Sequence, residues 1–272
     1  MRGSKVDLED IQKATANHQI AIDQVGVTDL RYPIVILDRQ NEKQQTVASL
    51  TASVSLPRQF KGTHMSRFIE VLNDHLGEVT MRTLPDILAD LKEKLEAETA
   101  RIEMHFPYFI ERSAPVSGSN GLMDYDCCFI GEANGKTCDF IMRVRVPVAS
   151  LCPCSKAISN YGAHNQRGHI DISVRTKHGN TGEMEFVWIE ELIEIAEQSA
   201  SGPVYALLKR PDEKYVTELA YDNPVFVEDM VRNVAVRLQN DDRISWYRVR
   251  AENLESIHNH NAFAMIEGNR NP

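Results

Sequence analysis

No run of about 18 consecutive apolar residues occurs in the 272-residue chain, so no membrane-spanning helix is expected. The first ten residues are polar and of mixed charge, without the apolar run of a secretory signal. Basic side chains are in deficit: 30 Lys and Arg against 39 Asp and Glu leave a net charge of −9 with His neutral. A general nucleic-acid binder, or a protein of anionic membrane surfaces, wants a basic field, so neither partner is expected. A small anionic substrate held in a local basic pocket is not excluded by that sum. Cysteines number five, odd and without a regular framework, which suits a reducing cytoplasm rather than a disulfide scaffold. The chain also lacks a Gly-x-Gly-x-x-Gly fingerprint and any strict internal repeat.

Apolar residues make up 42% and charged residues 25%, the composition of a globular protein long enough for one large domain or two ordinary ones. Residues 1–30 read as a loosely ordered lead-in. Arg31–Asp38 and Gln44–Leu56 read as strands joined by a turn. Phe68, Val71, Leu72 and Leu76 repeat at helical spacing. Leu84, Ile87, Leu88, Leu91 and Leu95 do so again behind Thr83 and Pro85, in a helix ending near Ala100. Strands follow from Ile102 and over Leu122–Gly131, and Asn134-Gly135 marks a hairpin into a strand that alternates Phe140, Met142, Val144 and Val146 with Arg143 and Arg145. After a Cys-Pro-Cys loop come a strand over His169–Thr176 and a helix over Trp188–Ser199. A helix from Asn223-Pro224 to Gln239 and strands around Trp246–Ala251 and His260–Ile266 complete the chain. The order is β-β-α-α-β-β, twice, which predicts an α+β fold with antiparallel sheet.

The chemistry concentrates between Ser150 and His169, where Cys152, Cys154, His164 and His169 fall close together. Thiolate and imidazole are ligands that Zn²⁺ and similar ions prefer, and Lys156 stands near enough to favour a thiolate. Cys-x-Cys is not the usual zinc spacing, and buried structural cysteines account for it equally well on spacing alone. The polar company of Ser159, Asn160, Asn165, Gln166 and Arg167 favours a site over a core segment. Cys127 and Cys128 are strand neighbours that point to opposite faces. These two, with Cys138, His105, His169 and His178, read as structural.

Four segments carry a resemblance. Ser-Leu-Cys-Pro-Cys-Ser-Lys with Tyr-Gly-Ala-His-Asn-Gln-Arg, then Lys209–Glu218, Asn253–Asn261 and Lys61–Arg67 closely resemble GTP cyclohydrolase type IB, the prokaryotic, metal-dependent form. The match runs from about residue 24 to Glu267. It implies the tunnelling fold: a lead-in over 1–23, one unit over 24–134, and a second over 135–272 that carries the metal site. Subunits would associate as a homotetramer whose sheets form a barrel, with active sites between chains.

The activity so implied is conversion of GTP and water to 7,8-dihydroneopterin triphosphate and formate, the first step of tetrahydrofolate biosynthesis, by metal-activated attack of water at guanine C8. The cofactor would be a divalent metal, Zn²⁺ or Mn²⁺, on Cys152, His164 and Glu213. One thiolate, one imidazole and one carboxylate leave the open position of a catalytic site. Cys154 and His258 would act in the pocket beside Cys152, and Glu228 would accept the guanine N–H groups in bidentate fashion. Lys61, His64, Arg67, Lys156 and Arg167 are candidates for holding substrate, with Lys209 and Arg210 further choices for the triphosphate. Alternatives within the same fold are the archaeal cyclohydrolase, which makes a cyclic phosphate, and the nitrile reductase of queuosine synthesis. A non-catalytic, zinc-stabilised binding protein is the remaining alternative; it predicts a fourth protein ligand and unfolding without metal.

Overall fold

The computed structural model describes residue 12 and residues 14–75, 82–178 and 184–269. Leu76, expected in the first helical stripe, and the start of the lead-in lie outside them. Two long strands open the chain, β1 (Ile22–Asp38) and β2 (Glu42–Leu56), followed by helices α1 (Met65–Asp74) and α2 (Leu84–Leu95). Strands β3 (Thr99–Ser113), β4 (Asn120–Asn134) and β5 (Thr137–Leu151) come next, then a short helix α3 (Pro153–Ile158) and β6 (Asn165–Thr176). The rest is α4 (Ile189–Glu197), β7 (Gly202–Pro203), α5 (Arg210–Asp222), α6 (Val227–Gln239), β8 (Ile244–Asn253) and β9 (Ala262–Asn269).

All strands pair antiparallel in one sheet, in the order β1-β2-β3-β4-β5-β6-β8-β9, with the two-residue β7 beside β5. The helices cover one face. There α1 and α2 pack over the first half of the sheet, and α4 and α6 over β5, β6, β8 and β9. The expected alternation is realised in β5: Phe140, Met142, Val144 and Val146 are buried under the helices. Phe106, Phe129 and Phe140 meet edge to face at 4.9 and 5.2 Å, a row that crosses from β3 through β4 to β5. Each such pair adds about 0.5–1.5 kcal/mol beyond its burial. Gly131 lets α2 sit close, since a Cβ there would stand 2.9 Å from Leu84 and 3.0 Å from Leu88.

Three expectations are corrected, and one helix stands where none was expected. The lead-in does not run to residue 30; β1 begins at Ile22, and its first turns of chain are exposed, so no buried face shows in the sequence. The Cys-Pro-Cys segment is the start of α3 rather than a loop. The segment after Lys209 is a full helix, α5, whose buried residues are only Asp212 and Ala220. Asn223 does not cap the following helix: it closes α5, where its side-chain N–H donates to the Leu219 carbonyl at 2.8 Å, and α6 starts at Val227 behind Phe226.

Two latches join the halves on the helix side. The fully buried Asp212 carboxylate accepts from Val116 N–H and Ser117 N–H at 2.8 Å, from the Ser117 hydroxyl at 2.7 Å and from Lys209 N–H at 2.8 Å. Burial alone would raise its pKa, but these donors win and hold the carboxyl well below its ordinary value. Glu190 on α4 accepts from Arg39 N–H at 2.8 Å and from the Tyr108 hydroxyl at 2.7 Å, tying the second half to β1 and β3.

Candidate active site

The end of β5 delivers Cys152 and the start of β6 delivers His164. Leu151 pairs with Asn165, and the ladder runs one step further, with Cys152 N–H donating to the His164 carbonyl at 3.1 Å. Cys152 is the extended N-cap of α3; Pro153, with no N–H to satisfy, opens the helix. The Cys152 sulfur accepts from Ser155 N–H at 3.5 Å. The Ser155 hydroxyl donates to the Cys152 carbonyl at 3.1 Å and accepts His164 N–H at 3.2 Å. The His164 ring turns Nδ1 to the Gln166 side-chain oxygen at 3.0 Å. The neutral imidazole with its proton on Nδ1 makes this bond and keeps the Nε2 lone pair, which is the tautomer a metal-ligating histidine needs.

Other expected residues gather at this end of the sheet. Cys154 is exposed on α3. The loop between β8 and β9 leans over His164, with the Ser256 hydroxyl 3.5 Å from Nδ1. Two residues on, His258 stacks on His260 with centroids 5.0 Å apart. Arg167 is exposed on β6, and its carbonyl accepts Leu254 N–H at 3.0 Å, holding the same loop. Val225 N–H bonds the Leu151 carbonyl at 3.2 Å, which brings the α6 first turn and the exposed Glu228 to this end. The Lys156 ammonium bonds the Tyr221 carbonyl and lies 4.1 Å over the Tyr221 ring, so it is engaged by α5 rather than by either thiol. Glu213 is exposed in the first turn of α5, next to the Asp212 latch. Its carboxylate does not form a three-donor group with Cys152 and His164; among the described residues such a group, with all atoms within 4.8 Å, is found at Glu103, His105 and Cys128.

Lys61, His64 and Arg67 stand elsewhere. Arg67 donates to the Lys94 carbonyl at 2.7 Å, just ahead of β3, and Thr99 at the start of β3 is level with Asn134 and, beyond it, Thr137 at the start of β5. Cys152 follows the other end of β5, and Thr137 to Leu151 is 151 − 137 = 14 residues. At about 3.3 Å per residue the two ends are roughly 45 Å apart along the strand. A single chain therefore separates these three residues from Cys152 and His164.

The Glu103, His105 and Cys128 cluster lies on the sheet face away from the helices, and its donor set suits a single divalent ion. Cys127 points the other way, into the core, as expected of strand neighbours.

A family model of type I GTP cyclohydrolase FolE2 matches residues 8–264. The chain belongs to the FolE2 family of GTP cyclohydrolases. The GTP cyclohydrolase FolE2 of Nitrosococcus oceani is 54% identical over 260 residues, covering 96% of this chain and 95% of that one. That of Syntrophus aciditrophicus is 54% identical over 258 residues, covering 95% and 98%. Among solved structures, a urate oxidase of Bacillus sp. TB-90 aligns with TM-score 0.51 at 10% identity over 92% of this chain and 99% of that one, a likeness of fold alone. Membership of this enzyme family sets aside the non-catalytic binding protein. No helix among the described residues is long and apolar enough to cross a membrane.

Within this FolE2 chain, sequence reasoning passed over Ser155 and Ser256 and counted Gln166 only as polar company, though each bonds Cys152 or His164. Ser155 and Gln166 lie inside the polar segment that drew attention. Their signal was spacing: Ser155 follows Cys152 at the third position of a helix start, and Gln166 shares a strand face with His164.

Proposed function

We propose that the chain converts GTP and water to 7,8-dihydroneopterin triphosphate and formate, with Cys152, His164 and Glu213 holding one divalent ion, Zn²⁺ or Mn²⁺. The pairing of Cys152 with a His164 whose Nε2 is left free carries this reading. Thiolate and imidazole fit such an ion, and a carboxylate from α5 completes three protein ligands with an open position. A bound ion supplies Lewis-acid chemistry and activates water at neutral pH.

The chain's own groups do the rest. Glu228, acceptor-only when ionised, takes the guanine ring N–H and exocyclic N–H₂ and so orients C8. His258 moves protons onto the ring nitrogens released as C8 departs as formate. Cys154 stands in the pocket without ligating, as a proton donor or support.

Lys61, His64 and Arg67 serve the triphosphate from a second copy of the chain. The distance along the strands supports this, since a head-to-tail neighbour brings one chain's far end to the other's Cys152 end. The edge strand β9 offers exposed Phe263 and Met265, 65% and 55% accessible, for such an association. A homotetramer whose sheets close into a barrel, working in the cytoplasm, follows on this reading. The test is incubation of purified protein with GTP and either Mn²⁺ or Zn²⁺. Formate and a pterin fluorescent after oxidation are expected; GTP left intact with both ions defeats the proposal.

A further inference from the structure

The three-donor cluster on the open sheet face is built by strand geometry. Glu103 and His105 are two apart on β3 and share a face, while Cys128 on β4 stands directly opposite His105. His105 Nε2 is 2.8 Å from Glu103 Oε1 and 3.7 Å from the Cys128 sulfur, and the sulfur is 4.0 Å from the same oxygen. Tetrahedral zinc, at about 2.3 Å from sulfur and about 2.0–2.1 Å from nitrogen and oxygen, sets its donors about 3.4–3.6 Å apart. The cluster needs shifts of roughly half an ångström to meet that.

The surroundings hold it ready. Arg101 grips the other carboxylate oxygen of Glu103 at 2.6 Å, which leaves Oε1 for the cluster. Arg143 lies opposite Cys128 on β5, where its charge offsets only part of the burial and the Glu103 charge that disfavour the thiolate. A cavity of about 400 Å³ opens beside the cluster, lined by His105, Cys128, Arg143, Arg145, Asp126 and Asp171. The cluster is remote from Cys152, because Arg143 to Leu151 is 151 − 143 = 8 residues of β5. That is roughly 25 Å of strand.

We propose that Glu103, His105 and Cys128 bind a second divalent ion of the zinc class, separate from the Cys152 site and independent of it. The ion takes Glu103 Oε1, His105 Nε2 and the Cys128 thiolate: the imidazole gives up the Nε2 proton it shares with Oε1 and keeps its proton on Nδ1, and the thiol proton leaves to solvent. Its fourth position opens on the cavity. Two flanking guanidiniums weaken the field for a cation, but a thiolate and a carboxylate neutralise a divalent charge locally. A thiophilic ion is therefore selected over Mg²⁺ or Ca²⁺. Free of metal, Cys128 is inert, since burial and the nearby Glu103 charge push its thiol up to about 12.

The test is Co²⁺ titration of the metal-stripped full chain, read by bound metal per chain and by thiolate-to-cobalt absorption. Wild type should take two equivalents. Cys128→Ser should lose one of them with its share of the absorption, and Cys152→Ser should lose the other. His105→Gln, at an exposed position, should repeat the Cys128 result without touching the core. If Cys128→Ser and His105→Gln both take as much cobalt as wild type, the proposal is overturned. If Cys128→Ser loses an equivalent while Cys152→Ser loses none, this site stands and the Cys152 assignment falls.

Discussion

The Cys152 amide donates to the His164 carbonyl at 3.1 Å, so the β5–β6 ladder itself sets the spacing of a thiolate and an imidazole. A site carried on strand ends in this way is held more closely than one on loops. The variant Cys152→Ser is expected to lose metal and turnover together. Cys154→Ser should keep the metal and lose rate, because Cys154 is exposed on α3 beside the ladder rather than on it. Metal content of the two purified variants separates them; an empty Cys154→Ser reverses the assignment.

The Gln166 side-chain oxygen stands 3.0 Å from His164 Nδ1, and in the proposed site a group that orients a ligating histidine is worth about 10–100-fold in metal affinity. Gln166→Ala should weaken metal binding by that order while leaving the fold intact. Competition against a chelator of known strength measures it, and an unchanged affinity removes Gln166 from the site.

Glu228→Gln places a donor where a guanine N–H is expected. The loss should be about 2 kcal/mol, roughly 30-fold in GTP affinity. Direct binding of a non-hydrolysed GTP analogue measures this apart from turnover, and equal affinity excludes the role.

Because Lys61 lies at the far end of the strands from Cys152, the two should meet only between chains. Cys152→Ala and Lys61→Ala, each impaired alone, should regain part of the activity when their subunits are mixed and exchanged. An intact hybrid site then draws Cys152 from one chain and Lys61 from the other. No recovery after exchange verified by mass would show that the chains do not share the site.

Asp38 closes the β1–β2 turn, with its carboxylate accepting Gln40 N–H and Asn41 N–H at 2.8 Å. Burial works to raise its pKa, but the turn amides and the Asn41 and Gln44 side chains lower it below the ordinary 3.8. A depressed folded value means that its stabilisation is whole above pH 3.8 and fades as the pH falls through the range beneath. Asp38→Ala should cost about 1–2 kcal/mol at pH 7. Urea midpoints of the two proteins should converge as the buffer is taken below pH 3.8; a constant gap rules the linkage out.

Much of the sheet was legible because its strands bury one face. Alternation in β5 located Phe140 to Val146, and Asn134-Gly135 marked a turn in which Gly135 takes a positive φ of 56°. The first half of β1 carried no such pattern, as both its faces are largely exposed at the sheet edge. Helix α5 was hidden for a related reason: it buries an aspartate for hydrogen bonding rather than an apolar stripe for packing. In the candidate site, the closeness of Cys152 and His164 was legible from the local crowding of metal-binding side chains, and the ends of β5 and β6 set the two side by side. The alliance of His105 with Cys128 was not, because it depends on which residues face each other across two strands, and register is a long-range property.

The Asp212 and Glu190 latches make the tandem arrangement hard to undo. Each takes donors from the first half into a carboxylate of the second. Severing the chain at the Asn134–Gly135 turn would leave Val116 and Ser117 with open amide donors on one fragment and two stranded buried acids on the other. Separate expression should then yield insoluble or unfolded fragments, and only co-expression should restore a soluble pair. On that outcome the two halves fold as one unit, and a split gene would have to keep its two products together.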